Sequence, residues 1–506
     1  MPSELVIVYH RQPYEEVVED GKTVFKENKS PNGIVPTLKS LFGRVDRGAW
    51  VAWKQAEDPS NPDFERVVEI EDAHGSYTVS RLPLTAKQVS SFYHVTSKEA
   101  MWPILHGFRE RYNYDPVDWP TFREVNWAFA EAAAAEAAEG AIVWVHDYNL
   151  WLVPGFLRQM RPDLKISFYH HTPFPAADMF NALPWRKEIV ESLMACDCVG
   201  FHIPRYANNF ASVALSLTDA EVEKTARVHP DFVARDSALS DRHYSQILEL
   251  NGHKVHLTVS GVGIDSQYID NLARSEETAT KVEAVREELG DARLVLSVGR
   301  TDYTKGGIEQ LLSFERVLEA HPELHGKLRL MHVSVSANTN MTAYEQVQTE
   351  LEATAGRINA TYGSFEWQPV SMTSSPVPFK ELVAYYQAAD VLWITPLADG
   401  MNLVCKEFVS ARTDEQGVLI LSEFAGAAVE LHEAIHCNPY SHRSMDHTLI
   451  QALAVEEDEA RSRMHALRDH VKTYGIAYWA QEQLRPIEKM ADIEIDVDDA
   501  PLKIAS

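Results

Sequence analysis

Residues 294–307, LVLSVGRTDYTKGG, restrict the possible folds of this chain more than any other stretch. The first five form an apolar, partly β-branched run of buried-strand length, and Gly299 falls where the chain must turn. Beyond Gly306 and Gly307 the apolar residues Ile308, Leu311, Leu312 and Leu318 recur at helical spacing. A strand therefore feeds a helix through a loop that carries Arg300 and Lys305. Such a loop suits a phosphate. Arginine offers a planar fork of donors and lysine a point charge, while the helix start adds free N–H groups and the positive end of a dipole. The spacing does not match GxxxxGK[ST], which disfavours an ATPase P-loop. Two solvated cations on a surface loop would leave the same short signature, so the rest of the chain has to decide.

The same alternation of apolar runs and helical spacing recurs on both sides of this stretch. Strands are expected at residues 5–9, 48–53, 77–84, 141–146, 166–169, 198–201 and 255–264, with helices at 122–139, 150–160, 185–194 and 207–215. The stretch 93–102 reads as polar and aromatic, with packing as its default role. Residues 218–252 read as irregular connection. The scheme restarts after 261, with a helix at 276–290, the strand at 294, and further strands at 328–334, 391–395 and 417–422. FAGAA, after the last of these, is expected to open a helix. With 506 residues the chain exceeds one core. The expectation is an α/β protein of two large domains, 1–265 and 266–475, followed by residues 476–506.

Polar residues gather where the strands end, the place where open parallel sheets bind ligands. Arg11 follows the first strand. Pro31, Asn32 and Gly33 form a turn that could offer N–H groups to an anion. His146 and Asp147 close one strand and His170 and His171 the next. Adjacent histidines on an extended segment face opposite ways, and no carboxylate stands at ligand spacing, so no metal is expected. Asp399, Gly400, Met401, Asn402 and Leu403 turn into a helix carrying Lys406 and Glu407. A carboxylate such as Glu407 near a helix start suits ribose hydroxyls, unless it belongs to a solvated helix face.

The net charge of −27 and pI near 5.2 oppose binding to nucleic acid or an anionic membrane. An anionic substrate needs a local basic site. The four cysteines, Cys196, Cys198, Cys405 and Cys437, are too few and too irregular for a disulfide framework. The N-terminus lacks a basic segment followed by a long apolar one, and no run approaches the length of a membrane span. A soluble, cytoplasmic protein is expected.

Taken together, Arg11, WVHDYNL, FYHHTPFP with FNALPW, VGRTDYTKGG, AGRINATYG, LADGMNLVCKEF and LSEFAGAA resemble the trehalose-6-phosphate synthase family of retaining glycosyltransferases, from about residue 5 to 490. The resemblance implies a GT-B fold: two Rossmann-like domains facing across a cleft, with the C-terminal helix crossing back to the first domain before an acidic tail. It assigns Arg300 and Lys305 to the donor diphosphate and Glu407 to the ribose. Gly33, Asp399, Gly400, Met401, Asn402, Leu403 and Val404 are assigned to the donor sugar and phosphates, and His171 to the donor glucose. Tyr93, Trp102 and Asp147 line the acceptor pocket, and Arg11 its anion-binding mouth. Arg300, Lys305, Asp147 and His171 make up the implied catalytic set, with no cofactor.

This chain departs from the trehalose enzymes in the acceptor region. Ala398 replaces an arginine in LADG, and Asn338, in SANTN, stands where a second phosphate-reading arginine is expected. Together with LVIVYHRQPYEE and KSPNGIVPTLKS, these point to the family's osmolyte-forming branch. That branch implies transfer of glucose from ADP-glucose to glycerol 3-phosphate, with a separate phosphatase acting on the product. The alternative is synthesis of trehalose 6-phosphate on glucose 6-phosphate. A catalytically silent sugar-phosphate sensor is disfavoured by Arg300, Lys305, Asp399 and Glu407 occurring together. A homo-oligomer is left open.

Overall fold

The computed structural model describes residues 2–19, 22–26, 35, 38, 39, 41–72, 75–335 and 342–491. Gly33, with its turn, and Asn338 lie outside them. The chain divides into two units, one comprising Met1–Val228, Asp241–Gly261 and the chain from Ala477, the other His229–Ser240 and Val262–Ile476. The segment His229–Ser240, expected in the first domain, is counted with the second unit because its contacts lie there. The Ala234 N–H donates to the Val429 carbonyl at 3.0 Å, and the Phe232 ring lies 4.7 Å from that of Tyr474.

The first unit is built on a ten-stranded sheet. Across its middle run Cys198–Phe201, Lys165–His170, Ala137–His146, Ser3–Val8 and Gly48–Gln55, all parallel and each with a run of consecutive buried residues, as strands covered on both faces have. Val67–Asp72 closes one edge antiparallel to its neighbour. The other edge overturns the expectation of irregular chain at 218–252. Glu221–Arg227 and His243–Leu250 pair antiparallel and extend the sheet through His253–Val259. Glu221–Arg227 is polar and exposed on both faces, and His243–Leu250 mixes polar and apolar residues without strict alternation, so neither leaves a period of two to read.

The C-terminal helix Ile476–Ala491 contributes to the core of this unit. The buried Trp479 stacks 5.3 Å from Trp144 and meets Tyr169 edge-on at 5.1 Å. Gln483, also buried, accepts a hydrogen bond from the Thr258 hydroxyl at 2.5 Å. A Cβ on Gly200 would stand 2.2 Å from the Gln483 side-chain oxygen and 2.5 Å from the Tyr169 ring, so glycine makes the seat for this helix.

The second unit has a six-stranded, wholly parallel sheet, in the order Val370–Thr373, Leu328–Val335, Arg293–Arg300, Val391–Ile394, Val418–Ser422, Ile435–Cys437. Alternate residues serve separate cores on its two faces. Leu294 and Leu296 join one with Leu392 and Ile394, and Val295 joins the other with Val391 and Trp393. No helix among the described residues is long and apolar enough to cross a membrane.

Trp479→Ala empties a site bounded by two large rings. It is expected to destabilise the full chain by about 3 to 5 kcal/mol, read as a lowered urea midpoint.

Candidate active site

In the second unit, the strand Arg293–Arg300 ends in Arg300, whose guanidinium is 3.7 Å from the carboxylate of Asp302. The buried Asp302 caps the short turn Tyr303–Lys305 by accepting the Thr304 N–H at 3.0 Å. Gly306 follows at φ 68°, and a Cβ there would stand 2.2 Å from the Thr395 carbonyl oxygen. Only glycine lets this loop lie against the end of the neighbouring strand. The helix Gly307–Ala320 is locked to the sheet through Gln310, whose amide donates to the Trp393 carbonyl and accepts from the Ser297 hydroxyl, both at 2.7 Å.

This arrangement carries the Lys305 ammonium to 2.7 Å from Asp399, and the Asn402 side-chain amide reaches the same oxygen at 3.1 Å. Asn402, at φ 85°, caps the helix Leu403–Ala411 by accepting the Cys405 N–H, so the N–H groups of Leu403 and Val404 begin a helix. Gly400 and Met401 are bolted to the next segment. The Ala427 N–H donates to the Met401 carbonyl at 2.8 Å, and a Cβ on Gly426 would stand 2.0 Å from the Gly400 oxygen. FAGAA, expected to open a helix, yields only the single turn Gly426–Val429, because its backbone is engaged in these contacts.

The adjacent charges Lys406 and Glu407 are both buried, which excludes a solvated helix face. The Lys406 ammonium lies 2.7 Å from Glu430 and 2.9 Å from the Val262 carbonyl. Burial works to raise the Glu430 carboxyl, but the Lys406 charge and a hydrogen bond from His470 outweigh it and hold it at about 2. Glu407 has no such cation. It accepts the Tyr386 hydroxyl at 3.0 Å, and burial pushes its carboxyl up to about 7.

In the first unit, Arg11, Asp147 and His171 follow the ends of three neighbouring strands, Ser3–Val8, Ala137–His146 and Lys165–His170. The Arg11 side chain is exposed and donates to the His10 ring at 3.4 Å, while its carbonyl accepts the Trp50 indole N–H at 2.8 Å. Asp147 sits at φ 73° and ψ 159°, a conformation that strains any residue with a Cβ. Its N–H donates to the Tyr169 carbonyl at 2.9 Å and its carboxylate accepts the Tyr148 N–H at 3.0 Å. Burial raises its carboxyl above the ordinary range.

The two histidines of the 170–171 pair do face opposite ways. His170 packs on Trp151 and Phe201, while His171 shares a 3.1 Å hydrogen bond with the His146 ring and accepts His202 Nε2–H at its carbonyl. Burial lowers the pKa of His171, and that of His146 to about 3, so both rings are neutral. His171 therefore offers a partner hydrogen bonds and no charge.

Tyr93 and Trp102, on the polar and aromatic stretch without an assigned element, lie on helix. Ala86–Val89, Ser90–Met101 and Trp102–Leu105 run on without a break, and in the middle portion the bonds reach back five residues, as from the Trp102 N–H to the Ser97 carbonyl. Tyr93 meets the His10 ring at 5.4 Å and Trp102 the Tyr148 ring at 6.1 Å. Between them lies a residue that sequence reasoning passed over. The Lys98 ammonium is 4.1 Å from the centre of the Trp102 ring and 5.6 Å from that of Tyr93. Its polar neighbours in the sequence give no hint of burial.

The structure thus gathers Arg11, Tyr93, Trp102, Asp147 and His171 at strand ends of the first unit. In the second it gathers Arg300, Lys305, the turn from Asp399 to Val404, and Glu407. Two α/β units, each carrying its polar residues at the ends of parallel strands, make up the fold of a GT-B glycosyltransferase. The chain belongs to glycosyltransferase family 20, whose model it matches over residues 3–489. It is a retaining glucosyltransferase of that family.

Among its relatives, the glucosylglycerol-phosphate synthase of Synechocystis sp. is 48% identical over 493 residues, covering 97% of this chain and 98% of that protein. The trehalose-6-phosphate synthase of Mycobacterium sp. is 36% identical over 481 residues, covering 95% of each. The solved trehalose-6-phosphate enzyme of E. coli bound with UDP-2-fluoro glucose superposes with a TM-score of 0.82. That match has 27% identity and covers 97% of this chain and 99% of the other.

Because the Glu407 carboxyl is raised from its ordinary 4.5 to about 7, its contribution to stability is complete below pH 4.5 and is lost as pH rises through 7. Glu407→Gln, which cannot ionise, is expected to remove this loss, on the order of 3 kcal/mol. Melting temperatures of both proteins between pH 5 and 8 check it; parallel curves would show that Glu407 is not the titrating group.

Proposed function

We propose that this enzyme moves glucose from ADP-glucose to glycerol 3-phosphate with retention of configuration, giving a glucosylglycerol phosphate for osmolyte synthesis. The observation that carries the reading is the convergence of Lys305 with Asp399 and Asn402 beside Arg300, at the end of a central parallel strand. Here two cations and a helix start can receive the charge that leaves with the nucleoside diphosphate. Glu407 holds the ribose, and the backbone from Gly400 to Val404 follows the sugar and phosphates. The branch's acceptor is supported by the glucosylglycerol-phosphate synthases among the relatives and by Ala398 and Asn338, which thin out the cations for a glucose 6-phosphate.

In the reaction the bond from the glucose anomeric carbon to the diphosphate breaks, and a bond to an acceptor hydroxyl oxygen forms on the same face. The acceptor's proton passes to the departing phosphate oxygen, so no enzymic carboxylate has to become covalently attached. His171, neutral, hydrogen-bonds the donor glucose. Asp147, held above its ordinary range by burial, orients the acceptor. The product keeps the acceptor's phosphate, which a separate phosphatase removes. The buried, unpaired Cys196, Cys198, Cys405 and Cys437 support a reducing, cytoplasmic location.

The test is a matrix of ADP-, UDP- and GDP-glucose against glycerol 3-phosphate and glucose 6-phosphate. Turnover with ADP-glucose and glycerol 3-phosphate is expected; preference for glucose 6-phosphate would instead make the chain a trehalose-phosphate synthase. With the preferred pair, Arg300→Ala and Lys305→Ala are each expected to lower kcat by about 10²-fold or more with the fold intact by circular dichroism. Undiminished turnover in either would remove that residue from the diphosphate site.

A further inference from the structure

We infer that Lys98 is a specificity-determining residue for the acceptor: its buried ammonium, set among the rings of Trp102, Tyr93 and Tyr148, binds the acceptor's phosphate. The inference deepens the proposed function and rests on it for the identity of the acceptor.

The geometry begins with the helix Ser90–Met101. Hydrogen bonds that reach back five residues widen each turn, so residues five and nine apart come to one side. Tyr93, Lys98 and Trp102 have this spacing. An ordinary 3.6-residue turn would keep Lys98 beside Trp102 but set Tyr93 on the opposite face from Trp102 and well away from Lys98. In the structure the ammonium is instead 4.1 Å from the Trp102 ring centre, 5.6 Å from Tyr93 and 6.0 Å from Tyr148. Rings of this kind stabilise a cation while leaving it able to bind an anion.

The charge balance of the pocket points to what that anion is. Lys98 and Arg11 both act on Asp147 and on His10 through space, two positive groups around one carboxyl. Burial keeps His10, His146 and His171 neutral, so among the described residues the strand ends here carry an excess of positive charge. The chain as a whole carries −27, so this local excess is built against the overall trend. Asp147 is the carboxyl on which both cations act, and a phosphate dianion entering beside it would be met by the same two charges. The aromatic walls suit the carbon chain of a small polyol phosphate. The shared chemistry is a phosphomonoester on a short hydroxylated carbon skeleton.

The experiment compares kcat/KM for glycerol 3-phosphate and for glycerol at saturating ADP-glucose, in the full chain and in Lys98→Met and Lys98→Arg. Lys98→Met is expected to lower the preference for the phosphorylated acceptor by about 30-fold or more, mainly through KM, while Lys98→Arg keeps most of it. Inorganic phosphate is expected to compete with the acceptor in the wild type and to lose that effect in Lys98→Met. Lys98→Gln takes its place if the methionine variant does not fold. An unchanged preference with phosphate still competing, or an equal loss with both acceptors together with a lowered melting temperature, overturns the inference. If the wild type uses glucose 6-phosphate and not glycerol 3-phosphate, the functional reading fails. The role of Lys98 is then decided by the same comparison between glucose 6-phosphate and glucose.

Discussion

The second unit depends on a backbone approach that no side chain would permit. Gly306 lies so close to the Thr395 carbonyl that the end of one strand and the loop after its neighbour become a single surface. That contact aims Lys305 at Asp399, on the loop following the other strand. Gly426 against Gly400 repeats the device one strand further on. Gln310 then ties the helix to both strands, so the cations are positioned by backbone and buried amide, with little left to the long side chains themselves. In the role proposed for them at a departing diphosphate this matters, since a charge already in place need not reorganise when the bond breaks.

The first unit reaches a comparable rigidity by different means. Asp147 is held in a strained conformation, and the buried histidines His146 and His171 beside it are kept neutral. A charged histidine cluster would compete with Arg11 and Lys98 for any incoming anion. Neutral rings leave the field of those two cations intact and still supply directional hydrogen bonds.

Much of this could be read from residues alone. The run at 294–307 was legible because strand, turn glycine, loop cations and helical spacing each leave a separate mark, and all of them point to one local structure. Helix at 90–101 was not legible, since its five-residue period matches neither the 3.6 of a helix nor the 2 of a strand. Edge strands at Glu221–Arg227 and His243–Leu250 escaped because the first carries charged residues on both faces and the second places Ile247 and Leu248 side by side, one on each face, among polar residues. The burial of Glu407 depends on Tyr386, a residue 21 positions away that no local pattern connects to it. GAA after Phe424 suggested a helix start, but small residues also serve where two backbones touch, and only the tertiary contact with Gly400 decides between the two.

The placement of Trp479 has a consequence for synthesis on the ribosome. Its partners Trp144 and Tyr169 leave the exit tunnel more than three hundred residues ahead of it, and the whole of Val262–Ile476 is made in between. Domains generally fold in the order they emerge. Here the first unit to emerge is the last that can be completed, and its two large rings stay uncovered until the final helix arrives. A chain cut anywhere between Tyr169 and Trp479 would therefore expose apolar surface on its N-terminal part, marking an unfinished product for chaperones and proteases.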